Sequence, residues 1–413
     1  MNMIRYRILA IALLFPFFAV AQELQKKNYK GCTAIVVRRS GMDGVSTYRI
    51  PGLATTNDGT LIAVYDVRHD SHRDLQGNID IGISRSLDKG KSWLPMQIIL
   101  DRGTWGGLPE KYNGISDACI LVDRKSGTIY VAALWMHGVL DSKGKWTEGL
   151  NEHSEAWNHQ WKGRGSQSGF GEKETAQFLL TRSVDNGVTW EEPVNLTSMV
   201  KKKEWWLFAP APGAGITLKD GTLVFPAQGR DERGKPFSTV LVSKDHGQSW
   251  QAGNPAVEEQ TTENMAVELS DGSLMLNMRA NSNRNDFSDR NGRAIAITTD
   301  LGQTWKEHPT SHHELIEPTC MASIIRHDYK QGNNRKSLLI FCNPAMKTER
   351  SNLTIKVSND EGMKWTQKIV LDQGKGRGYS CLTSIDEKSV GVLYENSKAE
   401  LVFERIMLKN LRF

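Results

Sequence analysis

Ser86-Leu87-Asp88-Lys89-Gly90-Lys91-Ser92-Trp93 is a stretch that the chain repeats five times in the form S/T-x-D-x-G-x-x-W. The later copies carry Ser183, Asp185, Gly187 and Trp190; Ser243, Asp245, Gly247 and Trp250; Thr298, Asp300, Gly302 and Trp305; and Ser358, Asp360, Gly362 and Trp365. Five of the 12 tryptophans occupy one motif position, which marks an internal repeat. The chemistry of the turn explains its composition. Asp and hydroxyl side chains bond nearby backbone amides and hold a tight loop. Gly supplies a conformation closed to other residues, and Trp buries a large ring beneath the turn. These aspartates read as structural, because a calcium loop needs further ligands at alternate positions that the copies lack.

Working outward, the five aspartates are 97, 60, 55 and 60 residues apart. Roughly six units of that size fit the chain. Between them lie short apolar or alternating runs such as Thr222 to Ala227, Ser273 to Met278, Ala294 to Thr299 and Ser389 to Tyr394. Several follow Asp-Gly turns (Asp58-Gly59, Asp220-Gly221, Asp271-Gly272), the signature of hairpins. No long amphipathic helix is evident. Units near 60 residues hold four strands each, which predicts an all-β, six-bladed propeller of four-stranded antiparallel blades. A strand around Ala34 to Arg39 is expected to complete the last blade. The 97-residue gap is the long one, and residues 141–173, with Trp146, Trp157 and Trp161, read as an inserted functional loop. Its Gly-x-Gly pairs lack the strand–helix context of a phosphate loop, as does Gly374-x-Gly376-x-Gly378.

Composition narrows the classes. Charged residues at 24% and hydrophobics at 39% exclude collagen, coiled coil and bulk disorder. A net charge of +5 over 413 residues is too mild for a nucleic-acid binder. Five scattered cysteines without a CxxC suggest neither a disulfide scaffold nor a zinc domain, and no cofactor or metal is implied. His312-His313-Glu314 lacks the helical spacing of a zinc motif. Arg5 and Arg7, the apolar run Ile8 to Val20 and the exit Ala19-Val20-Ala21 form the three parts of a secretory signal peptide over 1–21. An uncleaved anchor is the alternative. The reading is an exported domain over 22–413, periplasmic or secreted, with no stable membrane insertion after signal removal.

Tyr48-Arg49-Ile50-Pro51, followed by the five turns, resembles the exo-sialidases (neuraminidases), whose Asp boxes these turns match. The resemblance covers residues 30 to 413. It implies cleavage of terminal α-linked sialic acid from glycoproteins, glycolipids or oligosaccharides, with retention of configuration and a Tyr nucleophile in place of the usual carboxylate. It implies Arg49, Arg279 (in Asn277-Met278-Arg279) and Arg350 as a clamp on the sugar's carboxylate. Glu263, opening Glu263-Asn264-Met265-Ala266-Val267-Glu268-Leu269, is implied as the base for Tyr379, the nucleophile in Gly378-Tyr379-Ser380. Glu395 of Leu393-Tyr394-Glu395 is implied to steady Arg49. Arg68-His69-Asp70-Ser71-His72-Arg73-Asp74 offers two aspartates for the general acid; Asp74 fits the family better and Asp70 is the alternative. Arg68 and Asp117 are implied to meet polar groups across the sugar. Taken singly, each residue reads as an ordinary surface or packing group. Competing readings are an intramolecular trans-sialidase, a non-catalytic sialic-acid lectin and a structural Asp-box propeller.

Overall fold

The computed structural model describes residues 26–29, 32–72, 74–75, 77–105, 110–137 and 166–411. The segment read as a signal peptide and residues 141–165 of the inserted loop lie outside the described residues. Among the described residues the only α-helix is the single turn Thr197–Val200, and no helix there is long and apolar enough to cross a membrane. The rest is β-strand and turn.

The strands run as antiparallel meanders. Thr47–Thr55, Leu61–Arg68, Ile79–Ser86 and Gln97–Leu100 lie edge to edge. Asn113–Val122, Ile129–His137, Gln177–Ser183 and Val194–Asn195 repeat the pattern. One parallel pairing, Ile79 with Gly114, joins these two meanders, and the short strand Gly213–Ala214, parallel to Cys119–Ile120, makes the sheet nine-stranded. A sheet centred on Leu223–Arg230 and Pro236–Ser243 follows. Four-stranded sheets then run from Thr261–Glu268 to Lys306–Glu307 and from Ser323–Gln331 to Thr366–Asp372. The last sheet holds Ser380–Asp386, Ser389–Glu395 and Leu401–Met407, and its next strand is Cys32–Arg38 from the other end of the chain. The innermost strands line a common axial cavity of about 610 Å³, contributing Leu53, Val122, Ile216, Val267, Ile324 and Leu382. The architecture is therefore all-β and propeller-like. Middle strands are packed on both faces, so all eight residues of Leu61–Arg68 are buried and the apolar run is continuous rather than alternating.

Each repeated turn is held locally. Asp88 Oδ1 accepts from Ser92 N at 2.9 Å and from Ser86 Oγ at 2.9 Å, while Gly90 N donates to Ser86 Oγ at 2.8 Å. Two successive residues are left-handed in every copy, from Lys89–Gly90 (φ +61° and +85°) to Glu361–Gly362 (+57° and +84°). The turns also do something no local pattern announces: each docks on the preceding meander around the ring. Gly187 faces Ile62, Gly247 faces Tyr130, Gly302 faces Val240 and Gly362 faces Met275. Gly90 faces Phe403 of the last sheet, where Trp93 also packs edge-on with ring centroids 5.2 Å apart. The turns staple successive meanders together, and the first staple seals the circle. They lie at the Thr55–Leu61–Ser86 end of the strands, opposite the Thr47–Arg68–Ile79 end.

Two expectations follow. A Cβ at residue 90 would lie 1.9 Å from a Phe403 ring carbon on a left-handed backbone. Gly90→Ala should therefore cost about 2–4 kcal/mol through strain and overpacking, read as a lower urea midpoint; an unchanged midpoint contradicts the staple. Hydroxyl bonds from Thr189 and Ser249 lower the carboxyls of Asp185 and Asp245 to about 2. Groups more acidic when folded stabilise above their unfolded value, near 3.9 for Asp, and lose that contribution as pH falls through the folded one. Thermal melts should therefore fall between about pH 4 and pH 2.

Candidate active site

At the end of the strands opposite the staples, three innermost strands break register. Thr47–Thr55 bulges between Arg49 and Gly52, with Ile50 at φ +58°, and Asn113–Val122 bulges between Ser116 and Cys119, with Asp117 at φ +58°. Thr261–Glu268 shifts between Thr261 and Asn264, around Glu263. A bulge re-aims a side chain that regular pleating would direct elsewhere. A left-handed β-branched residue is strained and persists only when its surroundings hold it. Glu395 does so, accepting from Ile50 N at 3.1 Å. Gly378, at φ +82°, delivers Tyr379 to the same place; a Cβ there would lie 2.7 Å from Pro344.

These devices gather nine of the residues singled out above into two linked clusters. The Tyr379 hydroxyl donates to Glu263 Oε1, and Arg279 Nη1 meets Glu263 Oε2 at 2.6 Å and the Tyr379 oxygen at 3.2 Å. The guanidinium carbons of Arg49 and Arg350 lie 5.4 and 5.7 Å from the centre of the Tyr379 ring. Glu395 takes Arg49 Nε at 2.6 Å and Nη2 at 3.3 Å, and its Oε2 accepts from Tyr379 N at 3.2 Å. One carboxylate thus braces both an arginine and the backbone that carries the phenol. Among the described residues Arg350 donates only to carbonyls, of Arg377 at 3.1 Å and Thr319 at 3.0 Å. Among the described residues Arg49 and Arg279 have carboxylate partners and Arg350 has none, so the cluster carries one uncompensated positive charge.

Arg68 is fully buried and its Nη2 bridges Asp66 at 2.8 Å and Asp74 at 2.6 Å. Asp74 is 64% exposed at the mouth, whereas Asp70, also exposed, acts on His69. Asp66 was not singled out above. It is buried, takes Ser116 Oγ at 2.7 Å and Asp117 N at 3.2 Å, and so holds both Arg68 and the Asp117 bulge. Its signal in the sequence is the spacing Asp66-x-Arg68, two residues on one face of a strand. Elsewhere, Asp80, Asp101 and Glu110 have carboxylate oxygens within 4.8 Å of one another, with Asp80 bonded to His69 at 2.8 Å.

Burial and then the Glu263 charge push the Tyr379 phenol well above its usual range, against the pull of Arg279 and Arg350. Burial, then Asp74, Asp66 and Glu263, push Asp117 well up against Arg68. Desolvation works against ionisation of Asp74 and Glu395, but the cations outweigh it: Arg68 and Arg49 lower Asp74, and Arg49 lowers Glu395.

The chain matches the family model of the BNR repeat-like domain over residues 50–401. It is 43% identical over 378 residues to a sialidase of Bacteroides fragilis, covering 91% of this chain and 64% of that protein. A sialidase of Micromonospora viridifaciens is 32% identical over 366 residues, 86% of this chain and 51% of that one. The solved structure of the Hadza microbial sialidase Hz136 superposes with a TM-score of 0.82 at 43% identity, covering 92% of this chain and 69% of that one. The chain belongs to the sialidase family. It spans 64% and 51% of the two sequence relatives.

In this sialidase-family chain the Glu395–Arg49 pair is the brace to test. Its carboxylate is more acidic folded than unfolded, so its contribution is present above its unfolded value, near 4.3, and is lost as pH falls. Glu395→Gln leaves a buried guanidinium unpaired and should cost about 3 kcal/mol at pH 7, measured by chemical denaturation. The gap from wild type should narrow as pH drops below about 4; a gap independent of pH contradicts the assignment.

Proposed function

We propose that this chain is an exo-α-sialidase that hydrolyses terminal α-linked sialic acid with retention of configuration, through a covalent Tyr379 intermediate. The observation that carries the reading is the uncompensated arginine cluster wrapped around a phenol hydrogen-bonded to a carboxylate. The identity to named sialidases supports it. We count that nine-stranded sheet as two four-stranded blades plus the short strand Gly213–Ala214, because a single pairing joins its meanders, which gives six blades. The catalytic domain is taken as 22–413 and the chain as exported, on the signal-like start.

The chemistry follows from charge. Sialic acid carries its carboxylate on the anomeric carbon, where an anionic nucleophile would be repelled. Arg49, Arg279 and Arg350 take that carboxylate in the planar fork geometry that guanidinium offers. Tyr379 stays neutral on the substrate's approach, because its environment holds the phenol protonated. In the first step its oxygen bonds to the anomeric carbon as its proton passes to Glu263, while Asp74 protonates the departing glycosidic oxygen. In the second, Asp74 takes a proton from water, the resulting oxygen attacks the anomeric carbon, and Tyr379 leaves with its proton returned by Glu263. Arg68 and Asp117, whose carboxyl burial pushes well up, face polar groups of the sugar. Asp74 must enter the first step as an acid, yet Arg68 and Arg49 lower it in the free protein. A bound substrate carboxylate neutralises part of that field, which shifts Asp74 toward its protonated form.

Tyr379→Phe should lower turnover of a sialoside by about 10²–10⁴-fold while retaining affinity for an unsaturated sialic acid analogue; near-normal turnover would refute the mechanism. Arg350→Ala should weaken that analogue by about 2 kcal/mol or more, by calorimetry. Because Asp74 donates a proton, turnover should decline as pH rises from an acidic optimum, and a rate climbing into alkaline pH contradicts its role. Identifying the released sugar as free sialic acid or its anhydro form separates hydrolysis from the intramolecular transfer alternative.

A further inference from the structure

A second cavity, of about 200 Å³, adjoins the arginine cluster and shares Arg279 and Arg350 with it. Its other charged lining residues are Arg284 and Lys347, and no carboxylate lines it. Of the acids nearby, Asp286 and Glu349 are engaged elsewhere, and Asp289 pairs with Lys347. Asp286 accepts from Ser288 N at 2.9 Å, Glu349 pairs with Lys375 at 3.4 Å, and Asp289 is fully exposed, 3.4 Å from Lys347. Phe287 stands on the rim with 56% of its surface exposed. Its loop is anchored. Asn283 Nδ2 donates to Glu317 at 2.8 Å, Asn291 Nδ2 to Asp286 O at 2.8 Å, and Lys347 Nζ to Ser288 O at 2.5 Å. A large ring fixed on an anchored loop yet left in water is available to a ligand.

Resting on the sialidase reading and deepening it, we infer that this cavity receives the leaving-group sugar and selects one that bears an anionic substituent. The anomeric carbon carries both the carboxylate and the glycosidic oxygen. The leaving sugar must therefore lie within reach of Asp74 and of the arginines that hold the carboxylate; this cavity shares two of those arginines, and Arg279 among them acts on Asp74. Its volume, below the about 300–1,000 Å³ of drug-sized pockets, suits one sugar ring. Phe287 offers that ring a face, and Arg284 offers a counter-charge beyond those the terminal carboxylate consumes. A second sialic acid and a sulfated sugar share this chemistry.

The test compares kcat/KM for three sialosides: one with a neutral leaving sugar, one with sialic acid as the leaving sugar, and one with a sulfated leaving sugar. An aryl sialoside without a leaving sugar serves as control. The wild-type protein should favour at least one acidic substrate over the neutral one, and the favoured arm names the anion. Arg284→Ala and Phe287→Ala, both exposed and tolerant of truncation, should each reduce that preference by about three- to tenfold, the scale of a partly exposed charge or one ring face. No preference in the wild type, or a preference unchanged in both variants, overturns the subsite. Failure to cleave the aryl sialoside would instead count against the sialidase reading itself.

Discussion

An excess of positive charge held around a neutral phenol is the constraint on which this site turns. Bringing three guanidiniums together away from bulk water is costly unless each is paired or hydrogen-bonded. Glu395 and Glu263 pair two of them, and backbone carbonyls of Thr319 and Arg377 hold the third. Carbonyls satisfy hydrogen bonds without cancelling charge. The cluster is thereby left with one net positive charge and with its guanidiniums held by hydrogen bonds, which is what electrostatic preorganisation requires.

The same economy governs the other half of the cleft. Asp66 is never exposed, yet it sets Arg68, Ser116 and the Asp117 backbone in one arrangement. Arg68 in turn reaches the exposed Asp74, so the position of a group at the mouth is set from the interior. Glu395 plays the corresponding part for Arg49 and Tyr379. Two buried carboxylates thus orient most of the groups that would touch a sugar, and neither needs to touch it.

What could be read from the amino-acid order follows the range of the interactions. The repeated turn was legible because its bonds close within four residues, as from Ser92 to Asp88 and from Gly90 to Ser86. Its docking on the preceding meander was not, since Gly90 and Phe403 are joined only by the closed ring. Arg49 and Glu395 are 346 residues apart, and nothing local links them; family resemblance alone suggested the pair. The left-handed Ile50 and Asp117 leave no glycine to betray them. The carbonyls that hold Arg350 have no side-chain signature at all, so Thr319 and Arg377 could not have been picked out.

The staples and the chemistry occupy opposite rims of the same strands. Groups that far apart, without shared partners, contribute nearly independently to stability. Exposed loop tips on the reactive rim, such as Arg284 to Arg290, can therefore change residues while the turns on the other rim keep the ring shut. Such a scaffold lets natural variation alter that rim without putting the whole molecule at risk of unfolding.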